Sequence, residues 1–123
     1  MATIRRFEEI QAWQKARELV REIYRISVAG KFQRDYGLRD QICRAAASSM
    51  SNIAEGFARR TSRDFAHFPD VARGSAVEVQ SLLYVAFDVG YISADQFKGL
   101  NAMGDEVVAL VGGFTGYLRG AQK

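Results

Sequence analysis

The stretch Arg39–Arg60, RDQICRAAASSMSNIAEGFARR, decides the fold. From Ala45 to Ala58 it is mostly alanine and serine, holds no proline, and has glycine only at position 56. That composition predicts an α-helix. At 3.6 residues per turn, Leu38, Ile42, Ala45, Ala46, Ser49, Ile53 and Phe57 share a broad apolar side. Arg44, Ser48, Asn52 and Glu55 fall on a second stripe, at spacings of four, four and three. A helix this slim lets its neighbours approach closely, while its polar stripe must meet water or polar partners. The pattern is that of a central helix in a bundle, running from about Leu38 to Arg59.

Upstream, Ile10, Trp13, Ala16, Val20, Ile23 and Ser27 recur at threes and fours, predicting a first helix over about Phe7–Val28. Glu8 and Glu9 would occupy its first turn, where the helix dipole favours them, and Gly30 would end it. Phe32 and Tyr36, in the connection GKFQRDYG, are expected to fold back over the bundle end. Downstream, Thr61 or Ser62 is the expected cap of a third helix over about Ser62–Val89. Pro69, the one proline, would lie inside it and kink it; the alternative is a break, with Pro69 in the first turn of a separate helix. Gly90 stops this helix. A fourth begins at Ser93 or Asp95 and runs to about Leu118, loosened by five glycines. No strand signal or repeat interrupts the pattern. Four helices with short connections predict an all-α fold, an antiparallel up-down-up-down four-helix bundle in which residues 1–123 form a single domain.

Composition agrees. A chain of 123 residues with 48% hydrophobic and 25% charged residues falls within globular averages. The single cysteine, Cys43, rules out an intramolecular disulfide and fits a reducing compartment. Neither a signal-peptide core nor a run of ~20 apolar residues is present. A cytoplasmic protein without membrane contact is expected. The formal charge of +3 is unevenly spread: residues 1–63 carry 13 Lys/Arg against 7 Asp/Glu, and residues 64–123 carry 4 against 7.

Two groups of polar residues stand out. Arg44, Asn52, Glu55, Arg73 and Glu78 have the charges to form a structural network where the second and third helices meet. In an up-down bundle, Arg5, Arg6, Arg59, Arg60, Arg63, Arg119 and Lys123 would gather at one pole, against Glu8, Glu9 and Asp64. Dipole compensation accounts for Arg59, Arg60 and Arg119 at helix ends, but not for Arg5, Arg6 or Arg63 at helix starts. Such a pole could bind phosphates without reading bases.

With these residues laid out, the chain resembles the bacterial four-helix-bundle proteins also called 23S rRNA intervening-sequence proteins. The resemblance rests on Phe7, Trp13 and Ala16, on Tyr36-Gly37-Leu38, and on Gln41 and Arg44-Ala45-Ala46. It continues through Ser51-Asn52-Ile53-Ala54-Glu55-Gly56, Arg59, Ser62, Phe65, Ala72-Arg73-Gly74-Ser75, Glu78 and Gly90-Tyr91. It implies a four-helix up-down bundle assembled as a homopentamer. Some members are encoded inside insertions in ribosomal RNA genes. A related branch is the accessory protein of diversity-generating retroelements, which binds nucleic acid and the reverse transcriptase. Two positions depart from the pattern: Met50 stands where the family usually has proline, and Pro69 where it usually has an apolar residue.

Catalytic chemistry finds few residues to work with. His67 has only Asp64 and Asp70 at helical spacing, so no metal site and no cofactor is expected. A single histidine supports no nucleophile–base arrangement, and Glu55 and Glu78 lack the Glu-x-x-His motifs of a di-iron bundle. Trp13 reads as core or subunit interface. The sequence favours a non-enzymatic oligomeric scaffold that contacts RNA or DNA through the basic pole. A protein-interaction adaptor is the alternative, and a small-molecule enzyme comes last.

Overall fold

The structure, a computed structural model, describes residues 3–121. Four long helices carry the fold: α1 (Gln11–Ser27), α2 (Tyr36–Ala58), α3 (His67–Asp88) and α4 (Ala94–Ala121). Short 3-10 turns at Phe7–Glu9 and Gly30–Arg34 precede α1 and α2, and no strand occurs among the described residues. At 1.5 Å per residue, the 23 residues of α2 span about 35 Å.

The small-residue helix sits where its composition predicts. Ile42, Ala45, Ala46, Ser49, Ile53 and Phe57 are all buried, and Leu38 is partly so. Ser49 satisfies its hydroxyl by donating to the Ala46 carbonyl at 2.7 Å. Against this face pack Ala72, Ala76, Val79 and Leu83 of α3, together with Leu19 and Ile23 of α1 and Val107, Val111 and Leu118 of α4, in one core cluster. Small side chains permit close approach: a Cβ added at Gly56 would lie 2.9 Å from Pro69 Cδ. Contact partners run in opposite senses along neighbouring helices. Gln41 meets Glu78, Ser48 meets Ser75 and Gly56 meets Pro69 between α2 and α3. Tyr84 meets Phe97 and Gln80 meets Asp105 between α3 and α4, while Lys15 meets Glu106 and Ile4 meets Tyr117 between the N-terminal region and α4.

Helix ends differ from the sequence reading in instructive ways. The first helix begins at Gln11 because the backbone is extended at Ile10 (ψ 120°). Glu8 and Glu9 therefore lie outside its first turn, and the Glu9 carboxylate accepts from the Arg5 and Arg6 amides instead. Ser27 is its last residue; Gly30, at φ +57°, opens the following 3-10 turn rather than closing the helix. Helix α2 starts two residues before Leu38, capped by Asp35, whose carboxylate accepts from the Leu38 amide at 3.1 Å.

Helix α3 begins at His67, not Ser62, so Pro69 is its third residue and kinks nothing. A first-turn residue has no intrahelical acceptor for its N–H, and the missing proline donor costs little there. The break, the alternative left open by the sequence, is what occurs. Neither Thr61 nor Ser62 caps α3: Ala66 stands at the cap without a side-chain bond, and the Ser62 hydroxyl donates to Asp64. Gly90, at φ +82°, does stop α3, with Tyr91 N–H reaching the Ala86 carbonyl and Gly90 N–H the Phe87 carbonyl. Ser93 rather than Asp95 opens α4, exchanging bonds with Gln96 in a capping box.

Candidate nucleic-acid interface

The polar residues of α2 and α3 meet along their seam through hydroxyl and amide groups, with the Glu78 carboxylate as one acceptor. Asn52 donates to the Ser48 carbonyl at 2.9 Å and to its hydroxyl at 3.1 Å, and Ser75 donates to the Ser48 hydroxyl at 2.9 Å. Two turns earlier on α2, Gln41 donates to Glu78 at 3.3 Å. The charged network expected of Arg44, Asn52, Glu55, Arg73 and Glu78 does not form within the chain. Glu55 is exposed and pairs with Arg59 on its own helix at 3.4 Å. Among the described residues, no hydrogen bond or ion pair joins Arg44 or Arg73 to either glutamate, and both arginines are exposed. Short hydroxyl side chains bridge the seam directly, while Arg44 and Glu78 line a cleft beside it. Ser48, Ser75 and Gln41 therefore carry the role that the sequence assigned to the charges. Ser48 already stood on the polar stripe of α2.

The basic residues come together differently. Arg59 is the C-cap of α2, with its guanidinium 5.1 Å from the ring of Phe68 at the start of α3. Arg60 donates to the Phe57 carbonyl at 2.9 Å and lies over the Phe57 ring at 4.2 Å. These contacts serve the helix end as dipole compensation requires. Arg63 lies exposed in the turns between α2 and α3. At the N-terminus, the Ile4 amide donates to Tyr117 Oη at 3.2 Å, which ties the neighbouring Arg5 and Arg6 to the end of α4. Arg6 is held by Glu8 at 3.0 Å, and that hydrogen bond raises the guanidinium's affinity for its proton and lowers the carboxyl pKa of Glu8. Arg119 lines a cleft with His67 and Arg73, between the start of α3 and the end of α4. Lys123 lies outside the described residues.

Beside Glu8 and Glu9, the acid among these arginines is Asp64. Its carboxyl is held below the ordinary carboxylate range chiefly by the Ser62 hydroxyl, then by a backbone N–H, with the charge of Arg59 adding to the effect. It is ionised at neutral pH and subtracts from the positive field. Asp64, His67 and Asp70 belong to no metal-holding group: among the described residues, no three His, Cys, Asp or Glu side chains converge in that way. Trp13 is buried, edge-on to Phe7 at 5.1 Å, and so offers no platform for a base. Cys43 is buried as well, 3.3 Å from the Ser27 hydroxyl. Among the described residues, no helix is long and apolar enough to cross a membrane.

The opposite end of the molecule is closed. Phe32 is fully buried and stacks on Tyr91 at 5.2 Å, and the Tyr91 hydroxyl donates to Asp35 at 3.0 Å. That hydrogen bond, with burial and the carboxylate charge, raises the phenol pKa. Tyr36 does not fold back as expected; it is 65% exposed, with Arg39 over its ring at 4.9 Å. Along α3 and at its C-cap, Val77, Tyr84, Val85 and Val89 remain 44–55% exposed.

The model of one protein family, the 23S rRNA-intervening sequence proteins, matches residues 8–113. Among solved structures, the chain is similar to a crystal structure from Bacteroides thetaiotaomicron, described as a protein of unknown function from the S23 ribosomal protein family. The TM-score is 0.75 at 23% identity, over 85% of this chain and 94% of that one, a likeness of fold. No curated protein matches the chain.

Proposed function

The chain belongs to the 23S rRNA-intervening sequence protein family, and we propose that it is a non-enzymatic, oligomeric binding or scaffold protein that contacts RNA or DNA through its arginine-rich pole. The opposed contact order of neighbouring helices supports an antiparallel up-down-up-down bundle forming a single domain over residues 1–123. That arrangement gathers α1's start, α2's end, α3's start and α4's end, and with them Arg5, Arg6, Arg59, Arg60, Arg63 and Arg119. The observation that carries the reading is that Arg5, Arg63 and Arg119 are exposed and that no side-chain bond engages them among the described residues. Unpaired arginines on a surface without a catalytic or metal constellation suit phosphate contact, which positions a strand without reading its sequence.

Assembly with copies of itself, five by the family resemblance, would repeat the pole around a ring. The outward valines and Tyr84 of α3 supply the apolar surface that such contacts need. The same surface favours the adaptor reading, in which it docks another protein. The buried free Cys43 suits a cytoplasmic setting.

Titration of labelled single-stranded RNA and duplex DNA at low and at physiological salt tests the reading. Binding should be weak, fall steeply with salt, and drop when Arg59, Arg60 and Arg63 are changed together to Ala. Absence of binding at low salt leaves the adaptor reading in possession. Light scattering that reports a stable monomer at micromolar concentration removes the assembly.

A further inference from the structure

Between the first turns of α3 and the last turns of α4 lies a cleft of about 480 Å³, within the size range of ligand sites. Pro69 and Val111, both buried, form its apolar base, and His67, Asp70, Arg73, Thr115 and Arg119 line it. Most cations elsewhere on the helices have a carboxylate: Lys15 has Glu106, Arg25 has Glu22, and Arg59 has Glu55. Arg73 and Arg119 have none. Neither forms an ion pair or hydrogen bond among the described residues, although Asp70 lines the same cleft one turn before Arg73. The Thr115 hydroxyl spends its proton on the Val111 carbonyl at 3.0 Å, and Gly112 leaves open space where a side chain would stand.

We propose that this cleft seats one phosphodiester group of a nucleic-acid strand, with Arg73 and Arg119 donating to its oxygens. The proposal rests on the reading that this pole meets RNA or DNA, and it adds Arg73 and a defined seat to that surface. Charge favours this occupant. Two arginines against Asp70 leave the cleft one positive charge in excess with His67 neutral, which a phosphodiester's single negative charge offsets. The guanidinium is planar and presents its donors as a fork that matches phosphate oxygens, a geometry a lysine would not supply. The open space over Gly112 gives the group and its sugar a way in.

The test compares three variants of the full chain by fluorescence anisotropy on a labelled single-stranded RNA, across a salt series. Circular dichroism first checks that each keeps its helix content. The variants are R73A with R119A, the filled cleft Gly112→Leu, and the Arg59, Arg60 and Arg63 to Ala triple. Gly112→Leu removes no charge and adds a good helix former at an exposed position, so it separates a seat from a diffuse basic surface. The double variant and Gly112→Leu should both weaken binding and flatten the salt slope by about 0.7, the loss of one phosphate on a single strand. Asp70→Asn should tighten it. Unchanged affinity and slope in both the double variant and Gly112→Leu overturn the proposal, and if the triple variant still loses binding, the basic pole stands without this cleft. Loss in the cleft variants with an unaffected triple keeps the cleft and removes Arg59, Arg60 and Arg63 from the interface. A parallel titration with inorganic phosphate, followed by amide NMR shifts at Gly112 and Thr115, separates the sources. Shifts with phosphate in a protein that binds no RNA make this a small-anion site and overturn the nucleic-acid assignment.

Discussion

The two ends of the molecule solve opposite problems. At one end, Phe32, Asp35 and Tyr91 close on each other, with ring on ring, hydroxyl on carboxylate and carboxylate on the first turn of α2. The Asp35 carboxylate and the Tyr91 hydroxyl both find their partners within the chain. At the other end, the turns from Arg59 to Ala66 carry cations, and Arg63, Arg73 and Arg119 have no bonded partner among the described residues. A buried group left unpaired is expensive, while an exposed arginine left unpaired costs almost nothing. The closed end can therefore be read as stability and the open end as availability. Substitutions at the closed end should move the unfolding curve, and those at the open end should move binding.

The sharpest way to break this contrast is Phe32→Ala. The ring has 0% exposure, and removing it takes away both transfer free energy and the stack on Tyr91. A loss of about 3–5 kcal/mol is expected in denaturant unfolding. A midpoint unchanged in urea would mean that the corner is not closed in solution.

Second in size is Gly56→Ala, at the place where α2 enters the open end. The new Cβ would stand 2.9 Å from Pro69 Cδ and 3.1 Å from Cγ, and a proline ring has little freedom to yield. Overpacking should cost about 1–3 kcal/mol, partly offset by alanine's better helix propensity. Gly99→Ala is the control: it meets nothing within 4 Å, so propensity alone acts, stabilising by up to ~1 kcal/mol. Equal responses at the two positions would show that the α2–α3 approach is looser than described.

Asp35→Ala follows, removing the cap of α2 and the acceptor of Tyr91 together. About 1–2 kcal/mol is expected from thermal unfolding, with RNA binding untouched. Asp35→Asn keeps an oxygen for the Leu38 amide and should recover part of the loss. Recovery of none would assign the whole effect to the carboxylate charge.

How legible all this was in the sequence follows the same division. The apolar side of α2 was readable residue by residue, because burial repeats with the helical period and small side chains leave one solution to packing. Helix starts were not. Phe7 and Ser62 look helical by pattern, yet Ile10 is extended and Pro69 is tolerated only in a first turn, and both begin their helices later. Period cannot show where the backbone turns; cap and proline geometry decide that. Polar partners were harder still. Charge complementarity alone would join Arg44, Arg73, Glu55 and Glu78, but all four are exposed, where no burial cost forces charges to pair. Glu55 takes Arg59 one turn along, and Arg73 faces α4 across a cleft that no local pattern announces.

Glu55 therefore yields the smallest expected effect on stability and the finest probe of the contrast. A charge stranded in a buried network would cost several kcal/mol on removal of its partner. The observed pair is half exposed on both sides, 47% for Glu55 and 51% for Arg59, and spaced i,i+4 on one helix. Pairs of this kind contribute roughly 0.3–0.5 kcal/mol, screened by salt. Glu55→Gln should shift unfolding by no more than that, and the shift should vanish at high salt. Arg59, released from its carboxylate, would then join the unpaired cations of the open end. RNA binding at low salt should become tighter while stability barely moves. Weaker binding in Glu55→Gln would mean that the pair holds Arg59 in a binding posture rather than occupying it, and a loss of stability above 2 kcal/mol would place Glu55 in a buried subunit contact.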